Sequence, residues 1–181
     1  MKLSHSQMMA LWRRAHGLEE QRLDCSVELF EGIALEAALA SDLRKWYLNL
    51  LDTANPRFLT LTDISDRLTL TATGRRWVWR AELPVDVRRV FALVLDDGTE
   101  VKVLQPGDPE TRAERLAANP YAAPCRAAPV ARVTEHHTIM LTMRAQEMPR
   151  LAKVLAVTDP GDETFEFDES ALSLLPTPLR I

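Results

Sequence analysis

The sequence predicts an α+β fold in which a short N-terminal helix and a long amphipathic helix pack on antiparallel β-hairpins, with a short helix near the C-terminal end. Three observations predict it. Apolar residues recur at three-to-four spacing before residue 55, the period drops to two between residues 68 and 104, and the strands are not alternated with helices in the way that builds a parallel sheet. At 181 residues with 46% apolar and 27% charged content, the chain is long enough for one core and ordinary in composition. One domain over 1–181 is expected: a helical part at 1–55, β-hairpins at 58–104, a Pro/Ala-rich loop at 105–129, then strands and a terminal helix at 130–181.

Ser4 or Ser6 is placed to cap a first helix that carries Met8, Met9, Leu11, Trp12 and Ala15, and Gly17 supplies its stop. A longer helix is predicted from Asp24 or Ser26 towards Asn55-Pro56, since the residue before proline is biased out of helical geometry. Its stripe is Val27, Phe30, Ala34, Ala37, Ala38, Leu43, Trp46, Tyr47, Leu50 and Leu51. Residues 68–72 and 77–81 then alternate around Thr73-Gly74-Arg75 as a β-hairpin. A second hairpin is predicted from residues 90–95 and 100–104 around Asp96-Asp97-Gly98, Asp-Gly being a strong turn signal.

Between Gln105 and Pro129 the prolines predict an irregular surface segment, with a helical turn or two after Pro109. Strands resume at 130–133, 138–141 and 151–157. They are followed by a Pro160-Gly161 turn, a short piece at 165–167 and a capped helix from Asp168 to Leu175.

Charge and motifs exclude more than they assign. Against 22 Lys and Arg stand 26 Asp and Glu, a net −4 that lacks the basic excess of a nucleic-acid domain, so no sequence-specific nucleic-acid partner is expected. The pairs Arg13-Arg14, Arg75-Arg76 and Arg88-Arg89 read as solvated faces or subunit salt bridges. Cys25 and Cys125 form no CxxC, Met1-Lys2-Leu3-Ser4-His5 lacks the apolar core of a secretion signal, and no stretch is long enough to span a membrane. Two free thiols in a reducing cytoplasm are the expectation, with a single long-range disulfide as the alternative.

His136-His137 is the one histidine cluster. On a strand the two side chains would face opposite ways, so an exposed turn is expected rather than a metal site. Asp96-Asp97-Gly98 lacks the ligand spacing of an EF-hand, and Asp162, Glu163, Glu166, Asp168 and Glu169 read as turn and capping residues. There is no GxSxG and no phosphate-binding glycine loop. Trp77 and Trp79, taken as one strand face, are expected to pack against the long helix rather than to stack a ligand. No catalytic residue, cofactor or metal ligand is assigned.

Four segments carry a resemblance, and they occur in a telling order. They are Trp46-Tyr47-Leu48-Asn49-Leu50-Leu51 at the end of the long helix; Ala81 to Val90, with Leu83-Pro84-Val85-Asp86, leading to Asp96-Asp97-Gly98; Asn119-Pro120-Tyr121 before Pro129-Val130-Ala131; and Glu163 to Glu169 with Ala171-Leu172. Together they resemble phage head-to-tail connector proteins, the ring or tail-tubular-A-like adaptors of short-tailed and crAss-like phages. The resemblance covers roughly residues 40–175. It implies a non-enzymatic structural subunit, made in the bacterial cytoplasm and carried in the virion, that meets like subunits in a ring and portal and tail proteins at its ends. Trp12, Arg13, Arg44, Trp46, Tyr47, Asn119 and Tyr121 are the expected contact residues. Two rival readings remain. One is a bacterial adaptor that takes a peptide or small ligand at a sheet edge or at the 105–129 loop. The other is an enzyme in which His136 or His137 converges with the acids near Asp162.

Overall fold

The computed structural model describes residues 1–18, 29–30, 33–110, 112–115 and 124–176. In chain order the first elements are β1 (Lys2–Ser4), α1 (His5–Ala15), β2 (Leu29–Phe30), β3 (Ile33–Ala34) and α2 (Leu35–Thr53). The strands β4 (Thr62–Asp63), β5 (Thr71–Ala72), β6 (Val78–Glu82), β7 (Val87–Leu95) and β8 (Glu100–Leu104) follow. A single turn of helix, α3 (Arg112–Arg115), precedes β9 (Val130–Thr134), β10 (Thr138–Thr142), β11 (Leu151–Thr158) and β12 (Thr164–Glu166). The fold is α+β and mostly sheet. Its contacts gather into two compact units, one formed by Met1–Thr60 with Asp159–Ile181 and the other by Leu61–Thr158.

In the first unit, α1 starts where the sequence places it. Gln7 donates its backbone N–H to Ser4 Oγ at 3.3 Å and Ser4 donates to Gln7 Oε1 at 2.9 Å, a reciprocal cap for two otherwise orphaned donors. Gly17, at a φ of 72°, ends the helix, and its N–H and that of Leu18 close onto Arg14 and Arg13 carbonyls.

The long helix begins later than predicted. Leu29–Phe30 pairs antiparallel with Ile33–Ala34, so Phe30 and Ala34 belong to a short hairpin and α2 starts only at Leu35; Val27 and the predicted start at 24–26 lie outside the described residues. Leu43, Tyr47, Leu50 and Leu51 form the buried face of α2. After Asn55 caps a 3-10 turn at Pro56–Phe58, the chain returns as β12, which pairs antiparallel with β1. Asp168 then caps a 3-10 helix at Glu169–Leu174 by accepting the Ser170 N–H at 3.0 Å; the predicted terminal helix is thus capped as expected but wound more tightly.

The second unit is one eight-stranded sheet in the order β4-β11-β7-β8-β9-β10-β6-β5. Both predicted hairpins lie in it, with the first arm of the first hairpin reduced to Thr71–Ala72 and a 3-10 turn at Ser65–Arg67 before it. One pairing is not antiparallel: β8 and β9 run parallel, joined through the long 105–129 connection. The sheet curls at two places. Glu100 and Val101 of β8 pair with β7, whereas Lys102 to Leu104 pair with β9, and the Gln105 side chain takes over by donating to the Val90 carbonyl. Register shifts along β11 bend the other side.

Alternation buries Val90, Leu93, Leu95, Val101, Ala131, Val133, Ile139, Leu141, Val154 and Ala156 in one core with Ile64, Trp79 and Met143. Each large aliphatic side chain contributes roughly 1.5–3 kcal/mol by leaving water. The sheet has two loop rims. Leu83 donates to the His137 carbonyl at 2.8 Å, placing the 83–86 and 135–137 turns at one end. At the other, Met143 donates to Trp77 and Asp96 to Arg150, each at 3.0 Å.

Candidate functional site

Five of the seven expected contact residues, Trp12, Arg13, Arg44, Trp46 and Tyr47, belong to the first unit, and two of these are spent on its interior. Trp12 and Tyr47 are buried, Trp46 is half-buried, and the rings of Trp12 and Trp46 lie 5.6 Å apart. Phe165 and Phe167 complete the cluster, at 4.9 and 6.3 Å from Tyr47. Helical spacing sets Leu43, Tyr47 and Leu50 on one face of α2, and alternation along β12 and just past it turns both phenylalanines to that face.

The Tyr47 hydroxyl donates to the Glu166 carbonyl at 3.2 Å and accepts from the Glu166 N–H at 3.0 Å; burial pushes its pKa up to about 12. Arg44 is held by Asp159 at 2.6 Å, Asp162 at 2.9 Å and the Gly161 carbonyl at 3.1 Å, while Arg13 pairs with Glu36. The Trp46 indole donates to the Leu174 carbonyl at 3.3 Å, but the Trp12 indole N–H is buried with no acceptor among the described residues. Asn119 and Tyr121, like Cys25, lie outside the described residues.

The histidine pair sits in an exposed turn, with His137 at a φ of 50°, as an exposed turn was expected. Among the described residues no group of three or more His, Cys, Asp or Glu stands together as a metal cluster, and no charged side chain is buried. The carboxylates with lowered pKa values have structural partners. Arg126 and Thr99 hold Asp97 at about 2, the Val154 and Ser65 N–H groups lower Asp63, and Arg67 lowers Asp86. Cys125 is free and exposed.

The second unit holds a feature that local sequence patterns did not reveal. A cleft of about 630 Å³ is lined by Arg75, Arg76, Trp77, Arg144 and Gln146, beside Ala72 and Thr73 of edge strand β5 and its turn. Trp77 does not share a strand face with Trp79. It precedes β6 at a φ of 63°, the left-handed third position of the 75–78 turn, where glycine is usual. Trp79 is buried in the sheet core with strand residues, and Trp77 only packs against the edge of that core.

The Arg76 guanidinium lies 4.3 Å and that of Arg144 5.4 Å from the centre of the Trp77 ring. Strand pairing of Thr142 with Val78 is what carries Arg144 to Arg76 across the intervening sequence. Arg75, Arg76 and Arg144 have no carboxylate partner among the described residues. The only sequence signal was Arg75-Arg76-Trp77 directly after Gly74, and it does not reveal Arg144. Chemically, the cleft offers fixed guanidinium forks that suit an oxyanion.

Compared with known proteins, the sequence matches no family model and no curated protein. In the described residues no helix is long and apolar enough to cross a membrane.

Proposed function

We propose that the chain is a non-enzymatic structural subunit of a virion or prophage head-to-tail connector ring, meeting like subunits sideways and portal and tail proteins at its ends. The observation that carries this reading is the pair of opposed loop rims on the sheet unit, each with an exposed apolar residue. Val85 stands 94% exposed on the 83–86 turn, and Met148 is 53% exposed in the loop at the other rim. A subunit clamped between two different neighbours needs contacts at two ends, and one exposed apolar side chain at each rim supplies a point of contact there. Closed rings further need a heterologous contact whose rotation closes.

Size-exclusion chromatography with light scattering tests the assembly, alongside the genes next to the coding sequence. Oligomers of defined size beside portal or capsid genes are expected. A strict monomer encoded far from any such gene would sink the reading. The arginine-lined cleft favours a second one, an adaptor module that binds a peptide or other ligand. A thermal-shift screen that returns a specific stabilising ligand without self-association would select it.

A further inference from the structure

We infer that the cleft of Arg75, Arg76, Trp77 and Arg144 is a binding site for an acidic polypeptide segment, taken in extended form along the outer edge of β5. This deepens the adaptor reading and rests on it. Two guanidiniums lie over one indole and a third lines the same cleft of about 630 Å³, and no carboxylate of the described residues neutralises them. Guanidinium forks bind carboxylates through two parallel N–H donors, the strongest and most directional of the ordinary ionic contacts. Trp77 holds two of them: its ring lies under both Arg76 and Arg144, and its carbonyl is anchored by the Met143 N–H at 3.0 Å. A bulky residue kept in left-handed backbone geometry at a cleft is the kind of outlier that marks a binding site.

Two observations favour a peptide over a nucleic acid. The indole already carries two guanidiniums, which compete with any base for its faces. Beyond the three arginines the same rim carries Asp96 and Asp97, paired with Arg126, and Glu147 close enough to act on that arginine. These carboxylates confine the cationic surface to the three arginines, which suffices for a short acidic stretch, whereas a phosphodiester chain needs a continued cationic track. The neighbouring edge supplies what a peptide needs. β5 is the last strand of the sheet among the described residues, only Thr71 and Ala72 long, and an edge strand of this kind suits strand addition next to the cleft.

The test is fluorescence anisotropy of a labelled peptide of alternating Glu and Val, titrated with the full chain at low ionic strength. Parallel arms use the Gln/Val peptide and a thymidine oligonucleotide. Saturable binding of the Glu peptide is expected, with none for the Gln peptide. Weakening by about tenfold or more is expected in Arg76→Gln and in Arg144→Gln, the loss of one charge-assisted contact. Arg75 and Arg76 lie in an exposed turn, so Arg75→Gln and Arg76→Gln keep the test open even if the Arg144 variant fails to fold.

The assignment is overturned if the full chain does not bind the Glu peptide, if the arginine variants bind it unchanged, or if the oligonucleotide binds more tightly through the same arginines. Failure here while another ligand still raises the melting temperature leaves the adaptor reading intact. Peptide binding by a strict monomer keeps this site and removes the ring.

Discussion

At the scale of single residues, Tyr47 joins stability to pH most directly. Its hydroxyl both donates to and accepts from the Glu166 backbone, and burial raises its pKa from 10.0 to about 12. Because the folded form holds its proton more tightly than the unfolded chain, this contribution is complete below pH 10 and drains away as pH rises from about 10 to about 12. Tyr47→Phe leaves the Glu166 N–H without that acceptor, so a loss of about 1–2 kcal/mol at neutral pH is expected in urea unfolding. The alkaline decline should flatten in the same variant; an unchanged decline would assign it to another group.

The two tryptophans of the sheet unit separate by the same measurement. Trp79 is buried in the core, so Trp79→Ala is expected to cost about 3–5 kcal/mol. Trp77→Gly gives up a half-buried ring but releases left-handed strain of about 1–3 kcal/mol, so its stability should change by less than about 1 kcal/mol. Equal losses in the two variants would contradict the division of roles.

Among the elements, the turns are where backbone geometry alone decides the outcome. Gly98 closes the β7–β8 hairpin at a φ of 81°, and nothing lies within 4 Å of where an added Cβ would sit, so Gly98→Ala meets no clash and is penalised only by its dihedral. A loss of about 1–2 kcal/mol follows. Gly74 has equal space and no positive φ, and Gly74→Ala should be neutral or stabilising by up to about 1 kcal/mol through the unfolded chain. Thermal melts of both variants check the pair; similar melting temperatures would count against the dihedral account.

The same local determination explains what could be read in the sequence. The Asp97-Gly98 turn, the Ser4 cap and the Asp168 cap depend on neighbours within a few residues and were all legible. The start of α2 was not, because Leu29, Phe30, Ile33 and Ala34 fit a helical stripe as well as the short hairpin they form. The parallel pairing of β8 with β9 was illegible for a different reason: its partners are separated by the 105–129 connection, and no local pattern records such a choice. The cleft escaped in the same way, since Arg144 reaches Trp77 only through the β10–β6 register.

For the whole molecule, the division into two units is the property that short-range patterns record least. One unit is continuous, over Leu61–Thr158, and among the described residues its core cluster, from Ile64 to Ala156, is drawn from that stretch alone. The other is assembled from two ends of the sequence, with Tyr47 packed on Phe165 and Phe167. Residues 61–158 expressed alone should therefore show a cooperative thermal transition by circular dichroism, whereas residues 1–60 alone should not. A cooperative fold of 1–60 without the later segment would show that the aromatic cluster is dispensable.

The discontinuous unit also has a history on the ribosome. The apolar faces of α1 and α2 emerge before the sheet unit, yet Phe165 and Phe167 arrive only after the whole of it has been translated. At about 5–20 residues per second, that interval lasts on the order of 5–20 s. For those seconds Trp46 and Tyr47 lack the Phe167 and Phe165 rings that pack on them in the folded unit, so the nascent chain presents an uncovered aromatic surface to chaperones and to neighbouring nascent chains while the sheet is still being made.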